Sequence, residues 1–135
     1  MSFRFAVDFD GTLFDTTAKK LDPQAVRVLR LLKDEGHSLV LFSARATTLP
    51  PFAPDPNEES EFYKTGHVPQ RVREQWAAFE EMRQVLQVNG LWSVFDEVWQ
   101  SPGKPFADYF IDDRNRTADW VAIAQEFGVS SPNGL

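Results

Sequence analysis

The chain has 135 residues, of which 42% are hydrophobic, so it can form one compact domain and leaves no room for a second. Its net charge of −6 argues against a long nucleic-acid interface, and the absence of cysteine excludes disulfides and thiolate metal sites. No signal peptide and no apolar stretch of membrane-spanning length is visible. We therefore expect a cytoplasmic protein without membrane contacts, in which one focused site could still hold a small anionic substrate.

The first half of the chain predicts a strand, a helix and a second strand. Residues 3–9 form a short apolar run that ends in acidic residues, which is typical of a buried strand. Asp22 followed by Pro23 indicates a helix start, and apolar residues at helical spacing continue until Gly36 ends the helix. Residues 38–43 are the second predicted strand.

A proline-rich, acidic stretch at about 44–67 breaks this pattern, and we expect a long loop there. Four further elements are predicted after it: a helix at 69–89, strands at 95–99 and 107–112, and a helix at 117–127. Strands that alternate with helices favour parallel pairing with right-handed crossovers. The predicted fold is therefore α/β, a doubly wound, Rossmann-like parallel sheet sandwiched by helices, in a single domain spanning residues 1–135.

Polar residues stand at the ends of three of the predicted strands. Asp8 and Asp10 end the first, Ser43 ends the second, and Asp112 and Asp113 end the last. Because ligands of such sheets bind beyond the carboxyl ends of the strands, we expect these groups to converge. Clustered carboxylates suit Mg²⁺, which prefers oxygen ligands and masks the charge that protects a phosphate ester from attack. Any single aspartate at a strand end could instead cap a turn.

The order of these residues resembles the four motifs of the haloacid dehalogenase (HAD) superfamily. The motifs are DFDGT at 8–12, Ser43 after the second strand, Lys104 before the last strand, and Asp112 with Asp113 after it. The resemblance extends from Phe3 to about Trp120, which is nearly the whole domain. It implies a capless member of the family, because the chain has no room for a cap domain after the first motif or before Lys104.

The resemblance also implies a role for each catalytic candidate. Asp8 would be the nucleophile that forms an aspartyl-phosphate, since a carboxylate can split one hard displacement into two easier steps. Asp10 would be the acid/base, facing the leaving oxygen with a carboxyl group whose pKa is raised. Ser43 and Lys104 would contact the phosphoryl oxygens and stabilise charge in the transition state.

The metal ligands follow from the same resemblance, and candidate substrate ligands from their position beside the motifs. Mg²⁺ would be held by the Asp8 carboxylate, the Asp10 backbone carbonyl and Asp112, with Asp113 near or behind Asp112. Three further residues beside the motifs are candidate substrate ligands: Gly11, Arg45 and Arg114. An arginine next to the pair Asp112–Asp113 could equally form a local ion pair.

The expected function is a Mg²⁺-dependent phosphomonoester hydrolase acting on a small phosphorylated substrate. Two alternatives stay open: a degenerate family member that binds a phosphorylated ligand without turnover, and a polynucleotide 3′-phosphatase, which the strings LFSAR and GKPFADYFIDDR resemble remotely. Capless family members act on bulky substrates or use a neighbouring subunit as a lid, so a homo-oligomer is compatible with the resemblance. The 44–67 stretch begins directly after Ser43, and we expect it to be a substrate-facing lid, a tolerated insertion being the alternative.

Overall fold

The computed structural model describes residues 2–47, 70–101, 103–112 and 120–128. The strands are β1 (Arg4–Asp8), β2 (Phe14–Asp15), β3 (Lys20–Leu21), β4 (Ser38–Phe42), β5 (Glu97–Val98) and β6 (Tyr109–Ile111). The helices are α1 (Pro23–Asp34), α2 (Ala44–Thr47), α3 (Gln70–Val88) and α4 (Trp120–Glu126), with a 3-10 turn at Trp92–Val94. Within these ranges no helix is both long enough and apolar enough to cross a membrane.

Four strands form one sheet in the order β5-β4-β1-β6, and every neighbouring pair is parallel. The two central strands, β1 and β4, have continuous apolar interiors because neither of their faces is left to solvent. Helices flank this sheet, so the predicted α/β, Rossmann-like architecture is confirmed. Parallel pairing brings the carboxyl ends of β1, β4 and β6 to the same edge of the sheet.

Helix α1 begins and ends as its sequence predicts. The Asp22 side chain accepts a hydrogen bond from the Gln24 backbone N–H at 2.9 Å, and Pro23 occupies the first helical position. The chain leaves the helix through Gly36, whose φ of +90° favours a residue without Cβ. Leu29 and Leu32 are fully buried in the core, and each such burial contributes about 1.5–3 kcal/mol.

One hydrophobic core joins the sheet to the helices. Alternate residues of β1 and β4 enter it, with side chains from α1, α3 and α4: Phe5, Val7, Leu39, Leu41, Leu29, Met82, Leu86, Trp120 and Ile123. Burial along α3 becomes complete only at Met82, and Trp76, nearer the start of the helix, is 47% exposed. The core thus rests on the second half of α3.

Several element boundaries differ from the predicted ones. The stretch expected to be a loop from residue 44 starts with helix α2, and the remainder of 44–67 lies outside the described residues. The strand expected at 95–99 is confined to β5, because a 3-10 turn precedes it and Phe95 turns into the core. The strand expected at 107–112 is likewise shorter, and the described last helix begins at Trp120.

The antiparallel pair β2–β3 was not predicted. Its turn is built by Asp15, whose side chain accepts the backbone N–H groups of Thr17 and Ala18 at 2.9 and 3.0 Å. These two hydrogen bonds hold the pKa of Asp15 below its usual value. Lys19 takes a positive φ of 57° at the end of the turn. This hairpin lies between β1 and α1 in the chain.

Candidate active site

The strand registers bring three of the candidate residues to one edge of the sheet. Asp8 is paired with Phe42 of β4, and Val7 is paired with Ile111 of β6. Ser43 and Asp112 directly follow these partners, so they stand on either side of the carboxyl end of β1. The predicted convergence of strand ends is therefore present in the backbone.

The loop after β1 turns tightly on one carbonyl group. The Phe9 carbonyl accepts hydrogen bonds from the N–H groups of Leu13 and Phe14 at 3.0 and 2.9 Å, and Gly11 N–H donates to the Phe14 carbonyl at 2.9 Å. Gly11 has a φ of +77°, a conformation that side chains with a Cβ rarely adopt. The loop is thus held by its backbone and presents Asp10 beside the end of β1. A direct role of Gly11 in substrate binding stays a prediction.

Asp8 is oriented by a residue of its own motif. The Thr12 hydroxyl donates to Oδ2 of Asp8 at 3.4 Å, and Thr12 itself is only 4% exposed. A buried hydroxyl at this position restrains one carboxylate oxygen of Asp8. The sequence analysis assigned Thr12 no role, although the residue stands inside the DFDGT motif.

Asp10 forms a two-pronged ion pair with Arg45. Nε of Arg45 donates to Oδ2 of Asp10 at 3.0 Å, and Nη2 donates to Oδ1 at 2.8 Å. Such bidentate pairs are stronger and more specific in direction than single hydrogen bonds. The Arg45 side chain is 14% exposed and that of Asp10 is 40% exposed, so the arginine is the more buried partner.

Arg45 is also held by helix α3 and by two aromatic rings. Its Nη1 donates to the Ala78 carbonyl at 2.9 Å and to Oε1 of Glu81 at 2.8 Å. The guanidinium carbon lies 5.2 and 5.7 Å from the ring centroids of Phe9 and Phe14. The hydrogen bond to Asp10 raises the pKa of Arg45 despite its partial burial, and Glu81 adds to the rise. The observed partners of Arg45 are protein groups, and its contact with substrate stays a prediction.

Ser43 joins β4 to helix α2. Its side chain is almost fully buried, and Oγ accepts the backbone N–H of Arg45 at 3.1 Å. Its carbonyl accepts the N–H groups of Ala46 and Thr47 at 3.0 and 3.1 Å. Ser43 therefore begins the short helix that carries Arg45. Its predicted contact with a phosphoryl group is a separate role, which these hydrogen bonds do not test.

Lys104 lies on the same face of the sheet as Asp8. Its ammonium group is 5.4 Å from the ring centroid of Phe110. Phe110 is paired with Ala6 in β1, and Ala6 and Asp8 project to one face because side chains alternate along a strand. The Lys104 side chain is exposed at this face.

Comparison with known proteins bears on these residues. Residues 5–51 match the sequence model of a family described as haloacid dehalogenase-like hydrolase. This match supports membership of the chain in the haloacid dehalogenase superfamily. The comparisons with curated proteins and with solved structures give no match.

The HAD match covers the first part of the candidate site. It spans Asp8, Asp10, Ser43 and Arg45, and it supports a hydrolase. Lys104 follows the matched residues, so its assignment to a HAD motif stays a prediction from its place in the sequence.

Asp112 is half-buried at the end of β6, whereas Asp113 and Arg114 lie outside the described residues. Within the described ranges, no group of three or more histidine, cysteine, aspartate or glutamate side chains is arranged to hold a metal ion. Of the ligands that the HAD resemblance implies within these ranges, Asp8 and Asp112 are side-chain carboxylates and the third is the Asp10 backbone carbonyl.

Glu81 is the second residue that the sequence analysis missed. It lies on α3 and meets Arg45 across a separation of 36 residues. No local pattern distinguishes it from Glu80, its neighbour on the same helix, so its link to the HAD site could come only from the fold.

Proposed function

We propose that this HAD-superfamily chain is a Mg²⁺-dependent phosphomonoester hydrolase that forms an aspartyl-phosphate on Asp8. The proposal rests on two carboxylates that stand two residues apart and are bound by different groups. Asp8 ends the central strand with Thr12 on one oxygen, and Asp10 is held two residues later by both prongs of Arg45. Two carboxylates in different surroundings can take different chemical roles.

Asp8 is the proposed nucleophile. One of its carboxylate oxygens attacks phosphorus, and the bond between phosphorus and the leaving oxygen breaks. Water then attacks phosphorus, the bond to the Asp8 oxygen breaks, and inorganic phosphate leaves. The Thr12 hydroxyl supports this by restraining the carboxylate, since a nucleophile in a fixed orientation needs less reorganisation to reach the transition state.

Asp10 is the proposed acid/base. As the neutral acid it gives a proton to the leaving oxygen in the first step, and the carboxylate left behind takes one from the attacking water in the second. The two steps return Asp10 to its starting state, so no other proton carrier is needed. Arg45 orients the ionised form of Asp10, which is the form that takes the proton from water in the second step.

The oxygen donors at this edge of the sheet fit magnesium. The Asp8 and Asp112 carboxylates and the Asp10 carbonyl would hold the ion, all being hard oxygen ligands from neighbouring strand ends. When bound, Mg²⁺ would neutralise charge on the phosphoryl group. Lys104 adds a positive charge from the same face as Asp8, and Ser43 adds a hydroxyl at the end of the adjacent strand.

Hydrolysis of a generic aryl phosphate, with and without Mg²⁺, tests this function. We expect metal-dependent turnover that Asp8→Asn lowers by about 10³-fold or more, because an amide is a poor nucleophile for phosphorus. Asp108→Asn is the matched control, since Asp108 accepts the Arg4 backbone N–H at the opposite end of the sheet. Full activity in Asp8→Asn would overturn the mechanism. Phosphate-ester binding without turnover in the unmodified chain would favour a binding protein instead.

A further inference from the structure

Helix α3 reaches the candidate site through the Glu81 side chain and the Ala78 carbonyl. Oε1 of Glu81 lies 2.8 Å from Nη1 of Arg45, and the carbonyl of Ala78 lies 2.9 Å from the same nitrogen. The other edge of the guanidinium, Nε with Nη2, is bound to the two carboxylate oxygens of Asp10. Arg45 is thus a rigid connector between α3 and Asp10.

The planarity of the guanidinium makes this connection directional. Its five N–H donors are fixed in one plane, so holding Nη1 on α3 also sets the direction of the Nε–Nη2 edge. The rings of Phe9 and Phe14, at 5.2 and 5.7 Å, restrict the plane itself. Little freedom is left to Arg45 while Glu81 is in place.

We propose that Glu81 is a positioning residue that sets the Asp10 carboxylate through Arg45. The inference rests on the proposed function, because it is for acid/base catalysis that the position of Asp10 matters. Glu81 itself is not expected to touch the reacting atoms. A displacement of the catalytic group by about 1 Å can cost about 10²-fold in rate, so a loosened Arg45 has a measurable effect.

The neighbouring residue provides a matched control. Glu80 is on the same turn of α3, but it pairs with Arg83 three residues later and not with Arg45. Glu80→Ala removes the same charge and the same side chain from the helix as Glu81→Ala does. Only Glu81→Ala removes a hydrogen bond to Arg45.

The test compares steady-state kinetics on two substrates, an aryl phosphate with a good leaving group and an alkyl phosphate that needs a proton on its leaving oxygen. We expect Glu81→Ala to lower kcat on the alkyl phosphate by about 10-fold, with a smaller loss on the aryl phosphate and little change in KM. Glu80→Ala should stay within about 2-fold of the unmodified chain on both. Glu81→Gln, which keeps an acceptor oxygen for Nη1, should recover part of the loss.

A second readout does not depend on turnover. The Nε–Hε signal of Arg45 in a ¹H–¹⁵N spectrum, assigned by its loss in Arg45→Lys, should shift or broaden in Glu81→Ala and stay in place in Glu80→Ala. If Glu81→Ala does not fold, Glu81→Gln is compared with Glu80→Gln instead. A loss of kcat, smaller than the 10-fold loss expected for Glu81→Ala, is then expected in Glu81→Gln and not in Glu80→Gln.

Three results would overturn the inference: equal kinetics in the Glu81 and Glu80 variants, equal losses on both substrates, or an unchanged Arg45 signal. In each of these cases the unmodified chain still hydrolyses phosphate esters, so the proposed function stands. A lack of Mg²⁺-dependent hydrolysis in the unmodified chain would instead defeat the proposed function, and the inference with it.

Discussion

The two ends of the sheet use carboxylates in different ways. At the amino end, Asp108 accepts the backbone N–H of Arg4 at 2.8 Å, and Asp96 accepts that of Leu39 at 2.8 Å. These acids satisfy peptide groups that the short neighbouring strands leave unpaired. Their surroundings indicate a structural role, because the backbone donors belong to the sheet itself.

At the carboxyl end, side chains from other parts of the chain hold the carboxylates. Thr12 donates to Asp8, and Arg45 donates twice to Asp10. A group held in this way keeps a defined direction without being part of the sheet hydrogen bonding. The difference lies in the backbone: each acid at the amino end accepts a backbone N–H group of the sheet, whereas Asp8 and Asp10 at the carboxyl end accept from side chains.

The two aspartates that flank β6 should differ most in how their substitution changes the Mg²⁺ requirement of hydrolysis. Asp112→Ala should raise the Mg²⁺ concentration for half-maximal hydrolysis by about 100-fold, because it removes a proposed metal ligand. Substrate KM at saturating metal should change much less. Asp108→Ala, at the other end of the strand, should leave the metal requirement unchanged. The reverse order, with KM affected more than the metal requirement, would make Asp112 a substrate residue.

The strand-end residues could be predicted because the sequence pattern that indicates them is local. A buried apolar run that ends in acid indicates both a strand and the edge where ligands bind, which led to Asp8, Ser43 and Asp112. The start of α1 at Asp22 and Pro23 follows from capping chemistry in the same way.

Other features depend on tertiary placement and could not be read from local patterns. Strands β2 and β3 have two residues each, too few to show an alternation. Asp10 and Arg45 meet across 35 residues, and Glu81 lies on a helix whose position relative to them follows only from core packing. Arg45 was a candidate substrate ligand because it lies beside a motif residue, and its pairing with Asp10 follows only from the fold.

At the amino end of the sheet, we expect substitution of Asp96 to have a smaller effect, on stability and not on turnover. Burial alone would raise the pKa of Asp96, but the hydrogen bonds from Lys33 and from the Leu39 N–H outweigh it and lower the pKa. A lowered pKa means that the ionised group stabilises the fold above its unfolded pKa and loses this contribution as pH falls through the folded pKa.

Asp96→Asn should therefore reduce the free energy of unfolding by about 1 kcal/mol at neutral pH, a value kept low because the side chain is partly exposed. The difference from the unmodified chain should shrink below about pH 4. Urea denaturation at a series of pH values measures it, with aryl phosphate hydrolysis expected to stay unchanged. A loss of stability in Asp96→Asn that is equal at every pH would contradict the ion pair between Asp96 and Lys33.

The most direct test of the central claim is a mass measurement on Asp10→Asn. With an activated aryl phosphate, whose leaving group needs little proton transfer, this variant should form the aspartyl-phosphate and hydrolyse it slowly, because no carboxylate is left to activate water. Acid quenching and peptide mass spectrometry should then find one phosphoryl group on Asp8, absent when Asp8→Asn is added. Slow turnover with Asp8 unmodified, or phosphate on another residue, would contradict the account.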